Sequence, residues 1–238
     1  MRRVLVTRPE PGASRTAQRL EDLGFKPILL PLTETVALPV DPDRVAANAA
    51  AVAVTSANAV RHAPKEISTA LAGLPCHAVG RRTAQAAHAA GFLSVSEGPG
   101  DAEALADALA GDYAGQTIVY LCGRVRYSGF EQRLQSAGVQ VRAVETYDTV
   151  ALDYSDEAVL ARLSGRPVEA MLLYSAKAAT ALQALAGRPA LRELFKKSCF
   201  FALSGRIAAA LETVASEQLR VAPESSEEAL LELLRTSP

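Results

Sequence analysis

Six stretches of this chain put a small hydroxyl residue or a glycine where an apolar run gives way to a helical one, most with a cation beside it. They are Thr7-Arg8, Thr55-Ser56-Ala57-Asn58, Gly80-Arg81-Arg82-Thr83, Gly123-Arg124, Ser175-Ala176-Lys177 and Ser204-Gly205-Arg206. The first-turn N–H groups of a helix are unpaired and carry the positive end of its dipole. With a hydroxyl and a cation added, each such end suits an anion. Ordinary N-capping explains any one of them; six together point to an anionic ligand. Motifs that are missing narrow the chemistry. No GxGxxG or GxxxxGK[ST] run marks a dinucleotide or P-loop site, and there is no GxSxG elbow. His62, His77 and His88 lack metal-ligand spacing, and no cysteine pair supports zinc. His62 and His88 read as residues of solvated helix faces and His77 as a strand residue. An anion-binding cleft without metal or cofactor is expected.

Such groups must be carried by strands that end together. Val4 to Thr7, Lys26 to Leu30, Ala51 to Thr55, Cys76 to Val79, Leu93 to Ser96 and Thr117 to Cys122 are short apolar strands. Glu169 to Tyr174, Cys199 to Leu203 and Leu219 to Ala222 continue the series. Amphipathic helical stretches lie between them, one starting at Ser14 and another at Asp41-Pro42-Asp43-Arg44. Alternation of this kind means parallel sheets covered on both faces, with ligands at the carboxyl ends of the strands.

The chain also repeats itself. Gly24 to Val36 (GFKPILLPLTETV) and Gly138 to Val150 (GVQVRAVETYDTV) each open on a glycine able to end a helix and close on a polar, β-prone tail. The offset is 114 residues. Ser56-Ala57 and Ser175-Ala176 repeat at 119, Gly80 and Ser204 at 124, and Ala104-Leu105 and Ala229-Leu230 at 125. Loop insertions in a duplicated chain produce this slow drift. Tyr147 stands in the second tail where the first has Thr33, so its phenol breaks an otherwise matched pair.

Composition bounds the rest. The 238 residues are 49% hydrophobic and 21% charged, with a formal net charge of −1. That balance gives no field for nucleic acid or an anionic membrane. Met1 to Thr7 runs straight into a strand, and no apolar run approaches the ~18 residues of a membrane span. Cys76, Cys122 and Cys199 are odd in number and lie in apolar runs, as buried reduced thiols do. A cytoplasmic protein with no nucleic-acid or membrane partner is expected.

VLVTRP at Val4 to Pro9, the stretch ending Leu23-Gly24-Phe25, VTSANAV at Val54 to Val60, AVGRRTA at Ala78 to Ala84, ETYDT at Glu145 to Thr149 and LLYSAKA at Leu172 to Ala178 together resemble uroporphyrinogen-III synthases. The motifs span almost the whole chain in the family's order. The resemblance implies an α/β fold of two flavodoxin-like parallel-sheet domains from an internal duplication, joined by a two-stranded linker. Residues 1–35 with 151–238 would form one domain and 38–143 the other, with linker strands at about 32–38 and 144–151. It implies a lyase that takes linear hydroxymethylbilane, a tetrapyrrole with eight carboxylates, to uroporphyrinogen III through a spiro intermediate that inverts ring D, without a cofactor.

A phenol donates a hydrogen bond and keeps its proton at neutral pH, which suits loss of the substrate hydroxyl. By resemblance Tyr147 takes that place. Ser56, Thr83 and Ser175 would face the substrate by the same resemblance. Thr7, Arg8, Asn58, Gly80, Gly123, Arg124, Lys177, Ser204 and Arg206 complete the expected binding set from the strand ends. Ile207 stands where some members carry a hydroxyl, so Ser204 or Arg206 would substitute. A monomer is expected, with the preceding and following pathway enzymes as potential partners. A non-catalytic two-domain sensor of an anionic small molecule is the alternative.

Overall fold

The computed structural model describes every residue except 43, 44, 46, 47 and 238. The helix expected to start at Asp41-Pro42-Asp43-Arg44 falls in good part on residues that lie outside that set. Among the described residues the strands are β1 (Arg3–Val6), β2 (Lys26–Leu29), β3 (Thr33–Ala37), β4 (Ala49–Val54), β5 (Pro75–Ala78), β6 (Ser94–Glu97), β7 (Thr117–Gly123), β8 (Gln140–Ala151), β9 (Ala170–Leu173), β10 (Cys199–Ala202) and β11 (Leu219–Val221). The helices are α1 (Gly12–Asp22), α2 (Ala57–Arg61), α3 (Lys65–Leu71), α4 (Arg81–Ala89), α5 (Ala102–Asp112), α6 (Gly129–Ser136), α7 (Asp156–Leu163), α8 (Ala176–Ala186), α9 (Arg192–Phe195), α10 (Gly205–Ala208) and α11 (Glu227–Thr236). Helix α1 begins two residues before Ser14. The Glu10 carboxylate takes the Ser14 N–H at 3.1 Å and its hydroxyl at 2.8 Å, so Ser14 sits inside the first turn rather than ahead of it.

Two compact units result, residues 1–34 with 150–238 and residues 35–149. The first holds the sheet β2-β1-β9-β10-β11. Numbered along the chain, that is the 2-1-3-4-5 order of flavodoxin-like folds. The second sheet runs β3-β8-β7-β4-β5-β6. Within it β8-β7-β4-β5-β6 repeats the same order, with β7 and β8 in the places of β1 and β2.

Strand pairing reproduces the sequence offsets. Arg3 pairs with Lys26, and Thr117 with Gln140, each 114 residues on. Val4 pairs with Ala170 where Ile118 pairs with Ala51, which sets β9 119 residues from β4. Phe200 and Cys76, 124 apart, hold the matching places on β10 and β5. The first sheet therefore takes two strands from one repeat and three from the other, the second takes two and four, and a sequence repeat is not a compact unit. Gly24 and Gly138 close α1 and α6 at φ +80° and +78°, a left-handed conformation that costs a glycine nothing. Phe25 then donates to the Leu20 carbonyl and Val139 to that of Leu134, the same cap twice.

Alternation within strands builds the cores. On β9, Met171 and Leu173 face α7 and α8, while Ala170 and Leu172 face α1 and α11. On β4, Val52 and Val54 pack with α3 and α4, while Ala51 and Ala53 pack with α5 and α6. Both faces of each sheet are filled, which leaves the carboxyl ends of the strands as the place for polar groups. Cys76 and Cys122 are buried and Cys199 is half-buried, all as free thiols; burial pushes the first two up to about 12.

Candidate active site

In the unit of residues 35–149 the carboxyl ends of β4, β7 and β8 converge. Strand β4 leads through Thr55 into Ser56, whose extended backbone starts α2 and whose Oγ accepts the Asn58 N–H at 3.2 Å. Strand β8 slips register beside this point. Cys122 lies opposite Glu145 but Gly123 lies opposite Tyr147, so Thr146 is an extra residue. Such a bulge redirects the side chain that follows it. Thr146 is fully buried and donates from Oγ1 to the Ala59 carbonyl at 2.6 Å, which ties α2 to β8.

Tyr147 comes next and is half-buried. Its ring lies over the bare backbone of Gly123, where a Cβ would stand 2.7 Å from Cζ and 3.0 Å from Oη. Its hydroxyl donates to Ser56 Oγ at 3.2 Å, and its carbonyl accepts the Arg124 N–H at 2.9 Å. Ser56, Asn58, Gly123, Arg124 and Tyr147 are thus brought together. The Arg124 side chain is exposed and already shared between Glu145 at 3.3 Å and Asp148 at 3.5 Å. Gly80 and Thr83 lie one strand further, at the start of α4, with the Thr83 N–H on the Gly80 carbonyl at 3.0 Å and the Thr83 side chain buried.

His62 was expected on a solvated face and is instead half-buried. Its ring centroid stands 5.9 Å from that of Tyr147, with 30° between planes. Its Nε2 meets Thr35 Oγ1 at 3.0 Å. Burial, and then the charge of Arg61, lower its pKa and favour the neutral ring.

The unit of residues 1–34 and 150–238 carries the other candidates. Thr7 is fully buried and its hydroxyl donates to the Leu172 carbonyl at 2.7 Å, joining β1 to β9. Arg8 stacks on the Tyr174 ring at 4.2 Å and pairs with Glu227 at 3.0 Å. The same carboxylate accepts from Thr16, from Tyr174 at 3.0 Å and from Arg19 at 2.9 Å. Burial opposes its charge, but these hydrogen bonds and the two arginines prevail and hold Glu227 below the usual carboxylate range. Arg8 therefore already holds an anion supplied by the chain. Ser175 caps α8 through the Ala178 N–H at 3.2 Å, with Lys177 exposed on the first turn. Ser204 precedes α10 without a side-chain cap, and Arg206 beside it is exposed. Among the described residues no three His, Cys, Asp or Glu side chains gather as metal ligands, and no helix is long and apolar enough to cross a membrane.

The family described as Uroporphyrinogen-III synthase HemD matches residues 14–232 of this chain. The chain belongs to the uroporphyrinogen-III synthase family. Two solved structures of that name share its fold. The synthetase from Helicobacter pylori is 18% identical with a TM-score of 0.66, covering 98% of each chain. A mutant synthase from Thermus thermophilus is 20% identical with a TM-score of 0.54, covering 99% of this chain and 96% of that one. No curated protein matches the sequence. Uroporphyrinogen-III synthases are lyases of tetrapyrrole biosynthesis, with hydroxymethylbilane as their substrate.

Set against that chemistry, sequence reasoning missed His62, Thr146 and Glu227. The first carried a usable signal, because Ser56 and His62 bracket a stretch that Pro64 limits to little more than one helical turn. Both ends of so short a helix stay near the strand end that starts it. Thr146 and Glu227 carried none, since their partners are 87 and 211 residues away at Ala59 and Thr16.

Proposed function

We propose that this chain closes hydroxymethylbilane to uroporphyrinogen III with inversion of ring D, and that Tyr147 assists loss of the ring A hydroxyl. The observation that carries this reading is the Tyr147 phenol fixed between Gly123 and the Ser56 cap, at converging strand ends.

In the first step the ring A carbon–oxygen bond breaks. Its electron pair leaves with the hydroxyl, which takes a proton and departs as water. The remaining cation is the azafulvenium ion, the N-protonated azafulvene. Tyr147 Oη is the donor to that oxygen. Ser56 Oγ already accepts the Asn58 N–H. Turning the Ser56 hydroxyl toward Tyr147 Oη would free the phenolic hydrogen for the substrate.

The substituted carbon of ring D then attacks the azafulvene carbon to give the spiro-pyrrolenine. That intermediate fragments on its other side and recloses at the free carbon of ring D. A proton is lost, and the net change is one water. Spontaneous closure skips the spiro step and gives the uninverted isomer, so the protein's task is to hold the chain ends in the spiro geometry. Within the unit of residues 35–149 the first-turn amides of α4 are suited to holding a carboxylate; within the other unit, taken by itself, those of α8 with Ser175 and Lys177, and Arg206, are suited likewise, each hydrogen bond to a charged group contributing roughly 1.5–3 kcal/mol. The two arginines already engaged, Arg8 and Arg124, contribute only if they exchange partners.

Product analysis tests this. Purified protein is given hydroxymethylbilane, and the oxidised uroporphyrins are separated. Type III as the main isomer is expected. Type I alone, or tight binding without turnover, refutes the proposal.

A further inference from the structure

Helix α2 has five residues, too few to be stable by itself, so its place is set by what it touches. Three of those contacts lead to Tyr147 or its neighbour. Ser56 at the N-cap takes the Tyr147 hydroxyl, the Ala59 carbonyl takes the Thr146 hydroxyl, and His62 at the C-cap lies against the Tyr147 ring. The ring distance of 5.9 Å and tilt of 30° fall in the offset range that aromatic pairs favour. His62 is itself held, through Nε2 and the Thr35 hydroxyl at 3.0 Å. Tyr147 is only half-buried and its side chain is tethered by the hydrogen bond to Ser56, so its ring needs a wall to stay in line.

We propose that His62 is a positioning residue whose ring, anchored by Thr35, holds the Tyr147 phenol against Ser56 and Gly123. This rests on the reading of Tyr147 as the hydrogen-bond donor to the leaving hydroxyl. His62 does not serve as the acid. One ring nitrogen faces Thr35, and burial beside Arg61 disfavours its protonated form. Its contribution is the ring, so another flat ring of similar size should serve.

The experiment measures kcat and KM on hydroxymethylbilane for His62→Ala, His62→Phe, Thr35→Val, Tyr147→Phe and the double variant His62→Ala with Tyr147→Phe. Unfolding temperatures are recorded alongside. His62→Ala should lower kcat about tenfold with KM within about twofold, since a small misplacement of a reacting group is felt mainly in turnover. His62→Phe should recover most of that loss. Thr35→Val, which frees the ring without removing it, should give a smaller loss of the same kind. In the Tyr147→Phe background, His62→Ala should have no further effect. An unchanged kcat in His62→Ala, a His62→Phe as slow as His62→Ala, or a full multiplicative loss in the double variant overturns the proposal. If Tyr147→Phe alone is unimpaired, the reading of Tyr147 fails first. A slow Tyr147→Phe beside a normal His62→Ala removes His62 alone. Should His62→Ala unfold early, Thr35→Val and His62→Phe decide the matter.

Discussion

A single methyl group at Gly123 should disable the site while leaving the fold standing. A Cβ there would lie 2.7 Å from Tyr147 Cζ, 3.0 Å from Cε1 and 3.0 Å from Oη. Carbon atoms in ordinary contact sit about 3.5–4.0 Å apart, so the ring must retreat by about 1 Å. The Tyr147 hydroxyl starts 3.2 Å from Ser56 Oγ, and a retreat of that size takes it out of hydrogen-bond range. The lost bond costs roughly 0.5–1.5 kcal/mol of stability. Gly123 has no positive φ, so alanine fits the backbone and restricts the unfolded chain, which returns about 0.4–1 kcal/mol. The two nearly cancel, and the unfolding temperature should hold to within a few degrees. Turnover should not, because misplacing a reacting group by about 1 Å costs about 100-fold. The assay is the initial rate of uroporphyrinogen III formation by Gly123→Ala, with thermal unfolding followed by circular dichroism. A rate within about twofold of the parent, with the fold intact, would show that the position of the Tyr147 ring does not matter.

Three other perturbations separate fold from site. Glu227→Gln leaves Arg8 without its carboxylate and Arg19 with Glu228 alone, at 3.1 Å, and should cost about 2 kcal/mol at pH 7 by urea unfolding, a figure already reduced for partial exposure. Because the Glu227 pKa is lowered in the fold, its stabilisation is present above the unfolded value of about 4.3, and the gap from the parent should close as the pH falls below that. His77 is held by Ser96 and Tyr113, both at 2.8 Å, and burial lowers its pKa. Its stabilisation is therefore full above about pH 6.5 and lost as the pH falls toward the lowered folded value, a slope that His77→Gln should remove from urea midpoints measured between about pH 7.5 and 5. Ser175→Ala removes the α8 cap, which should cost about 1 kcal/mol by thermal unfolding and, if the first turn of α8 holds a substrate carboxylate, raise KM more than it lowers kcat.

Much of the fold was legible because a duplication preserves strand register. The offsets of 114, 119 and 124 residues read from matched motifs are those at which β2 and β8, β9 and β4, and β10 and β5 occupy equivalent places. Which strands share a sheet was less legible, since the two repeats exchange halves and local sequence is silent on that choice. Among the candidate residues, the Ser56 cap in one unit and the Ser175 cap in the other follow from local hydrogen bonding, the kind of order short-range sequence encodes. Arg8 does not, because its partner Glu227 lies 219 positions away. The bulge at Thr146 was equally hidden. It depends on the pairing of β7 with β8, and it decides where Tyr147 points.

Tyr147→Phe examines the central claim most directly. Parent and variant are given hydroxymethylbilane, and both the rate of consumption and the isomer ratio are recorded. The expected result is a variant that folds normally, binds substrate with little change in KM and turns over about 100-fold or more slowly, within the range that a general acid contributes. Its product should shift toward type I as spontaneous closure overtakes it. Type III formed by Tyr147→Phe at the parent rate would contradict the mechanism.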